Sequence, residues 1–160
     1  MERLTPHIFW QHGDSFLNAA NKVVNPQANS EKPFMPLDDN AIVAYYLVGH
    51  SIELSLKSYL YAKNYNKNKL RNKFGHDLSK LIKECKKRKI GREVKLKKKE
   101  TAGIDLLSIT YTSKKFEYLE YGSYSFPEYS FIYGVAKKLS NGLARYAMNP
   151  PGTYRSKKRK

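Results

Sequence analysis

The chain has 160 residues, 41% of them hydrophobic and 28% charged, and its 30 Lys+Arg against 14 Asp+Glu give a formal net charge of +16. That length suits one domain able to bury a core unaided, and that balance excludes both a disordered polyelectrolyte and a membrane protein. Cys85, the single cysteine, excludes an internal disulfide and a cysteine-rich zinc site, and it fits a reducing cytoplasm.

The longest apolar run covers residues 41–49, well short of the roughly 20 residues a spanning helix needs. Residues 1–6 carry no apolar stretch behind a basic start, so no signal peptide is expected. The positive charge is clustered. Residues 83–99 hold ten basic and two acidic residues, and the segment 155–160 (RSKKRK) adds five more cations. Clusters of this kind attract polyanions by steering and counterion release. The cations that would contact nucleic acid are Lys86, Lys87, Arg88, Lys89, Arg92, Lys95, Lys97, Lys98 and Lys99, with Arg155, Lys157, Lys158, Arg159 and Lys160 in the tail.

The elements read as helices. Residues 7–24 place Phe9, Phe16, Ala20 and Val23 at helical spacing. Residues 25–37, with three prolines, form a loop. Residues 38–64 make the strongest helix, with Asp38 or Asp39 as N-cap. Ala41, Tyr45, Val48, Ile52, Leu56 and Tyr59 line one face, and Leu47 and Leu54 lie opposite. A helix apolar on two sides belongs at the centre of a bundle. Gly49 would allow a close helix–helix approach there.

Residues 65–76 read as a connection, and Asp77 caps a helix over 78–89 that carries Leu78, Leu81, Ile82 and Cys85. Ile90-Gly91 ends it, and 91–99 is expected to be basic and mobile. A further helix falls within 100–114 on Ile104, Leu107 and Tyr111. The stretch 111–133, with six tyrosines and three phenylalanines, reads as an irregular packed loop. A last helix starts near Pro127, with Ser125 or Phe126 before it, and uses Ile132, Val135, Leu139, Leu143 and Tyr146 as its core stripe. The expected fold is an all-α, up-and-down bundle of about five helices over residues 1–150, followed by a basic, disordered tail over 151–160.

Two groups of residues could carry chemistry. His50, Glu53 and Lys57 share one face of the central helix. Partly buried there, they must be paired, in a polar network that also takes in Asp77 and has His50 or His76 near enough to join Glu53 and Lys57. Arg71 and His76 form a second group. In phosphodiester cleavage without a metal, a histidine moves protons and an arginine holds the phosphate charge. No Gly-rich phosphate loop, HExxH or Gly-x-Ser-x-Gly motif is present, and no metal or cofactor is implied.

Residues 47–60 (LVGHSIELSLKSYL), followed by 75–81 (GHDLSKL), resemble HEPN domains, all-α modules of prokaryotic defence, toxin–antitoxin and nucleotidyltransferase-linked systems. The resemblance implies a module that binds nucleic acid or nucleotide, with RNA or another single strand as partner. It also implies a possible protein partner, a nucleotidyltransferase or an antitoxin, and a homodimer. Ribonucleases of the family carry an R-x4–6-H motif with a polar residue after the arginine. The resemblance therefore implies phosphate binding for Arg71, with Asn72 behind it, and proton transfer for His76. In many of those enzymes the motif lies on a later helix, whereas residues 127–160 here contain no histidine. A metal-independent endoribonuclease is thus one alternative, and a non-catalytic protein-interaction bundle is another.

Overall fold

The computed structural model describes residues 4–24, 39–113 and 125–151. The expected loop at 25–37, the N-cap candidate Asp38, residues 114–124 of the aromatic stretch, and 152–160 with Arg155, Lys157, Lys158, Arg159 and Lys160 lie outside them. The described residues form six α-helices and no strand: α1 (Pro6–Val24), α2 (Asp39–Ala62), α3 (Lys67–Phe74), α4 (Leu78–Lys87), α5 (Lys98–Thr112) and α6 (Tyr129–Met148), with one 3-10 turn at Ile90–Arg92. None of these helices is long and apolar enough to cross a membrane.

α2 is the hub and packs on each of the other five α-helices. Its residues explain why. Ala44, Val48, Ile52, Leu56 and Leu60 are fully buried, and Ser51, Ser55 and Ser58 leave almost no surface on other sides. Small residues let neighbours come close. Gly13 of α1 stands so near α2 that a Cβ there would meet the Ser51 carbonyl at 3.1 Å. One connected core then draws on all six helices, from Leu17 to Tyr146.

Residues 65–76 are not a simple connection. They contain α3, capped by the Asn66 side chain, which accepts from the Lys69 N–H at 2.8 Å. Leu70 and Phe74, one turn apart, bury the inner face of this otherwise polar helix. Gly75 follows at φ 54, in the left-handed region where glycine carries no Cβ penalty, and its N–H closes on the Arg71 carbonyl. Asp77 then caps α4 by accepting from the Lys80 N–H at 2.9 Å.

The segment 88–97 also differs from the expected mobile stretch. α4 ends at Lys87, and the left-handed residue beyond it is Lys89 at φ 66, not Gly91. Ile90 and Val94 are then drawn into the core. Val94 seats on α6 at Gly142, where an added Cβ would lie 2.8 Å from the valine Cβ. Burial of two branched apolar side chains pins a backbone whose composition suggests only charge. At α6 the cap is Glu128, whose carboxylate accepts from the N–H groups of Ser130 and Phe131 at 3.0 and 2.8 Å. Pro127 therefore lies before the helix, not inside its first turn.

Candidate functional site

Glu53 is the organising residue. It sits in the middle of α2 and is 1% exposed. A carboxylate so placed is stable only if it is paired and hydrogen-bonded. One turn on, Lys57 brings its Nζ to 2.5 Å from Oε1. From α5, the Tyr111 hydroxyl donates to Oε2 at 2.6 Å. Tyr111 can reach this depth because residue 49 is glycine, since a Cβ there would stand 2.6 Å from the tyrosine ring. The turn at Gly75 delivers His76, whose Nδ1 lies 3.0 Å from the same Oε2. His50, on α2, has its Nδ1 2.9 Å from the Tyr111 oxygen and 3.7 Å from Oε2.

Hydrogen-bond accounting settles the tautomers. An ionised carboxylate only accepts, and Tyr111 has one hydrogen, which goes to Glu53. His76 must therefore donate from Nδ1 to Glu53, and His50 must donate from Nδ1 to the Tyr111 oxygen. In both rings Nε2 is left as the nitrogen that can take or give a proton. The His76 side chain is 57% exposed and that of His50 23%, against 2% for Glu53. Phe16 packs edge-on against the His50 ring, and Tyr46 stacks on it. Burial works against the charge on Glu53. The His50 imidazole, the Lys57 ammonium and the Tyr111 hydroxyl outweigh it and hold the carboxyl down at about 2. A buried anion behind a half-exposed imidazole fixes the orientation of that ring, as a proton-transfer group requires.

Asp77 takes no part in this network. Its carboxylate is spent on the α4 N-terminus and on Lys80 at 3.3 Å, because a helix start needs an acceptor for its free N–H groups. Arg71 is exposed on α3, and its side chain makes no hydrogen bond or ion pair among the described residues. His76 and Arg71 thus flank the Gly75 turn, with only the histidine tied to Glu53. Tyr111 joined the sequence reading as a core residue alone. Its hydroxyl belongs to the site, and Gly49, one residue before His50, is the only local sign of it.

The second feature is the basic surface. Lys86, Lys87, Arg88, Lys89, Arg92, Lys95, Lys97, Lys98 and Lys99 are all exposed, on a backbone held by Ile90 and Val94. Two neighbouring acids are already paired. Glu84 accepts from the Tyr65 hydroxyl at 2.6 Å and pairs with Arg88 at 3.4 Å and Lys73 at 3.8 Å. The Tyr65 hydroxyl and these cations hold its carboxyl below the usual range against the effect of desolvation. Glu100 receives both Lys138 contacts at 2.9 Å and the Lys97 N–H at 2.6 Å. Arg88 is partly structural, since its Nε also donates to the Tyr65 oxygen at 2.9 Å, and Lys86 donates to Thr101 at 2.8 Å. No protein-family model, no curated protein and no solved structure matches the chain.

Proposed function

We propose that this chain is a HEPN-type helical module that binds single-stranded nucleic acid, RNA foremost, through the cations of residues 86–99. The observation that carries the reading is electrostatic. Nine cations stand exposed on one continuous segment, while Glu84 and Glu100 beside them are already paired. A polyanion meeting that surface releases counterions; of the nine cations Arg88 shares its charge with Glu84, and Glu93 is the one acid within the segment. The setting in prokaryotic defence or toxin–antitoxin systems, the cytoplasmic location and a homodimeric form follow from the family resemblance. Labelled single-stranded RNA, titrated at increasing salt, tests the reading. Binding should weaken steeply as salt rises. Absence of binding at low salt would overturn it in favour of a bundle that serves a protein partner.

A second reading, metal-independent endoribonuclease, is favoured by one observation: the bond from His76 Nδ1 to the buried Glu53 carboxylate. His76 Nε2 would take the proton of a ribose 2′-hydroxyl as that oxygen attacks phosphorus, or protonate the leaving 5′-oxygen. Arg71, five residues earlier in the chain and with no side-chain partner among the described residues, would neutralise the crowded phosphate. The test is single-stranded RNA in EDTA. Cleavage that disappears in His76→Ala supports this reading, and cleavage that survives the substitution removes His76 from it.

A further inference from the structure

We propose, resting on the endoribonuclease reading, that His50 is a second catalytic residue, so that His50 and His76 work as an acid–base pair on one phosphodiester. The two rings share an anchor. His76 Nδ1 stands 3.0 Å from Glu53 Oε2, and His50 Nδ1 stands 3.7 Å from the same oxygen. The Tyr111 hydroxyl bridges the longer gap, at 2.9 Å from His50 and 2.6 Å from Glu53. Two imidazoles held around one oxygen are neighbours, and each carries its Nε2 on the far side of its ring. Among the described residues neither Nε2 has a hydrogen-bond partner, and neither is a buried orphan. Substrate can therefore reach both.

Glu53 does not need two histidines. Lys57 pairs with Oε1 and Tyr111 donates to Oε2, which already satisfies a buried carboxylate. What the Nδ1 contacts add is orientation, because they hold each ring in one tautomer with Nε2 outward. The frame around the rings comes from separate elements. On α2, His50 stacks on Tyr46 at 6.1 Å, and Phe16 of α1 meets it edge-on at 4.4 Å. On the turn after α3, the His76 carbonyl accepts from Thr112 Oγ1 at 3.3 Å. Tyr111 of α5 sets its ring 6.4 Å from that of His76. Rings clamped in this way have little freedom left to lose when substrate binds.

The step balances over the pair. One Nε2, unprotonated, takes the proton of a ribose 2′-hydroxyl, and the 2′-oxygen forms a bond to phosphorus. The bond from phosphorus to the 5′-oxygen breaks, and the other Nε2 gives its proton to the departing oxygen. The products are a 2′,3′-cyclic phosphate and a 5′-hydroxyl, and exchange with water resets both rings. The attacking and leaving oxygens lie roughly in line across phosphorus, so two rings serve them better than one.

His50→Asn and His76→Asn test the pair in the full chain. An asparagine amide nitrogen falls where Nδ1 stands, so each variant keeps the anchoring hydrogen bond and loses Nε2. His50→Gln, of similar size and equally unable to titrate, is run beside them and should match His50→Asn. Circular dichroism verifies folding. Cleavage of single-stranded RNA in EDTA should slow by about 10²–10⁴-fold in each variant. The linkage that the wild type cuts is then remade with sulfur in place of the 5′-oxygen. A thiolate is a weak enough base to leave without a proton. The variant lacking the acid should cut this substrate as the wild type does, and the variant lacking the base should not. Rescue of one histidine position alone supports the pair and identifies the acid. Rescue of both, or of neither, overturns it. Folded His50 variants that cut RNA at the wild-type rate, while His76→Asn does not, overturn the pair and leave the single-histidine nuclease standing. RNA left intact by the wild type overturns the nuclease reading and the pair together.

Discussion

Glu53 shows how one side chain can couple burial, charge and site geometry. Its carboxyl is lowered from an ordinary value of 4.5 to about 2, so the folded state prefers the ion. A depressed carboxyl pKa stabilises the fold at pH above the unfolded value, and that stabilisation drains away as pH falls from about 4.5 toward 2. The difference corresponds to about 3 kcal/mol. Urea unfolding between pH 2 and 7 checks this. Glu53→Gln should lose stability at neutral pH, because Lys57 is left as a buried cation without its counter-charge, a loss of about 3–5 kcal/mol. The same variant should flatten the acid limb of the stability curve. A mutant curve running parallel to wild type across that window would assign the acid sensitivity to another carboxylate.

At the scale of elements, α3 is the instructive case. Its sequence, KNKLRNKF, offers two apolar residues in eight, too few for a periodic stripe to be visible. The helix forms because Asn66 caps it and because Leu70 and Phe74 reach the core beside α2 and α4. Asn66→Ala should therefore destabilise the protein by about 0.5–2 kcal/mol. Leu56→Ala in the central helix should cost about 2–5 kcal/mol by opening a cavity. Thermal or urea unfolding of the two variants orders them, and an Asn66→Ala loss as large as that of Leu56→Ala would mean that the cap does more than start α3. The contrast explains what could be read in advance. α1, α2, α4 and α6 carry repeating apolar stripes, so their positions were legible within a few residues. The common face of His50, Glu53 and Lys57 was legible too, because it follows from helical spacing alone. The arrival of the Tyr111 hydroxyl at Glu53 was not, since it depends on how α5 crosses α2. Likewise, the packing of Val94 on Gly142 depends on a contact between segments about fifty residues apart.

On the scale of the whole molecule, the net charge of +16 acts on two properties with opposite sign. Like charges on a compact body repel one another, which lowers the stability of the fold. Added salt screens that repulsion, because the Debye length shrinks from about 30 Å at 0.01 M to about 8 Å at 0.15 M. The melting temperature of the free protein should therefore rise with salt over this interval. RNA affinity should fall over the same interval, because each phosphate neutralised on a single strand contributes about −0.7 to the slope of log K against log salt. The two effects meet in the thermal shift produced by RNA. A ligand at one hundred times its dissociation constant adds about 2.7 kcal/mol, and for a domain of this size each kcal/mol moves the midpoint by about 2–4 °C. Saturating single-stranded RNA should thus raise the midpoint by about 5–10 °C at low salt and by little at high salt, while the RNA-free midpoint moves upward. Parallel rises with and without RNA would mean that the positive surface is only a solvated one, and would remove the polyanion from the account of this molecule.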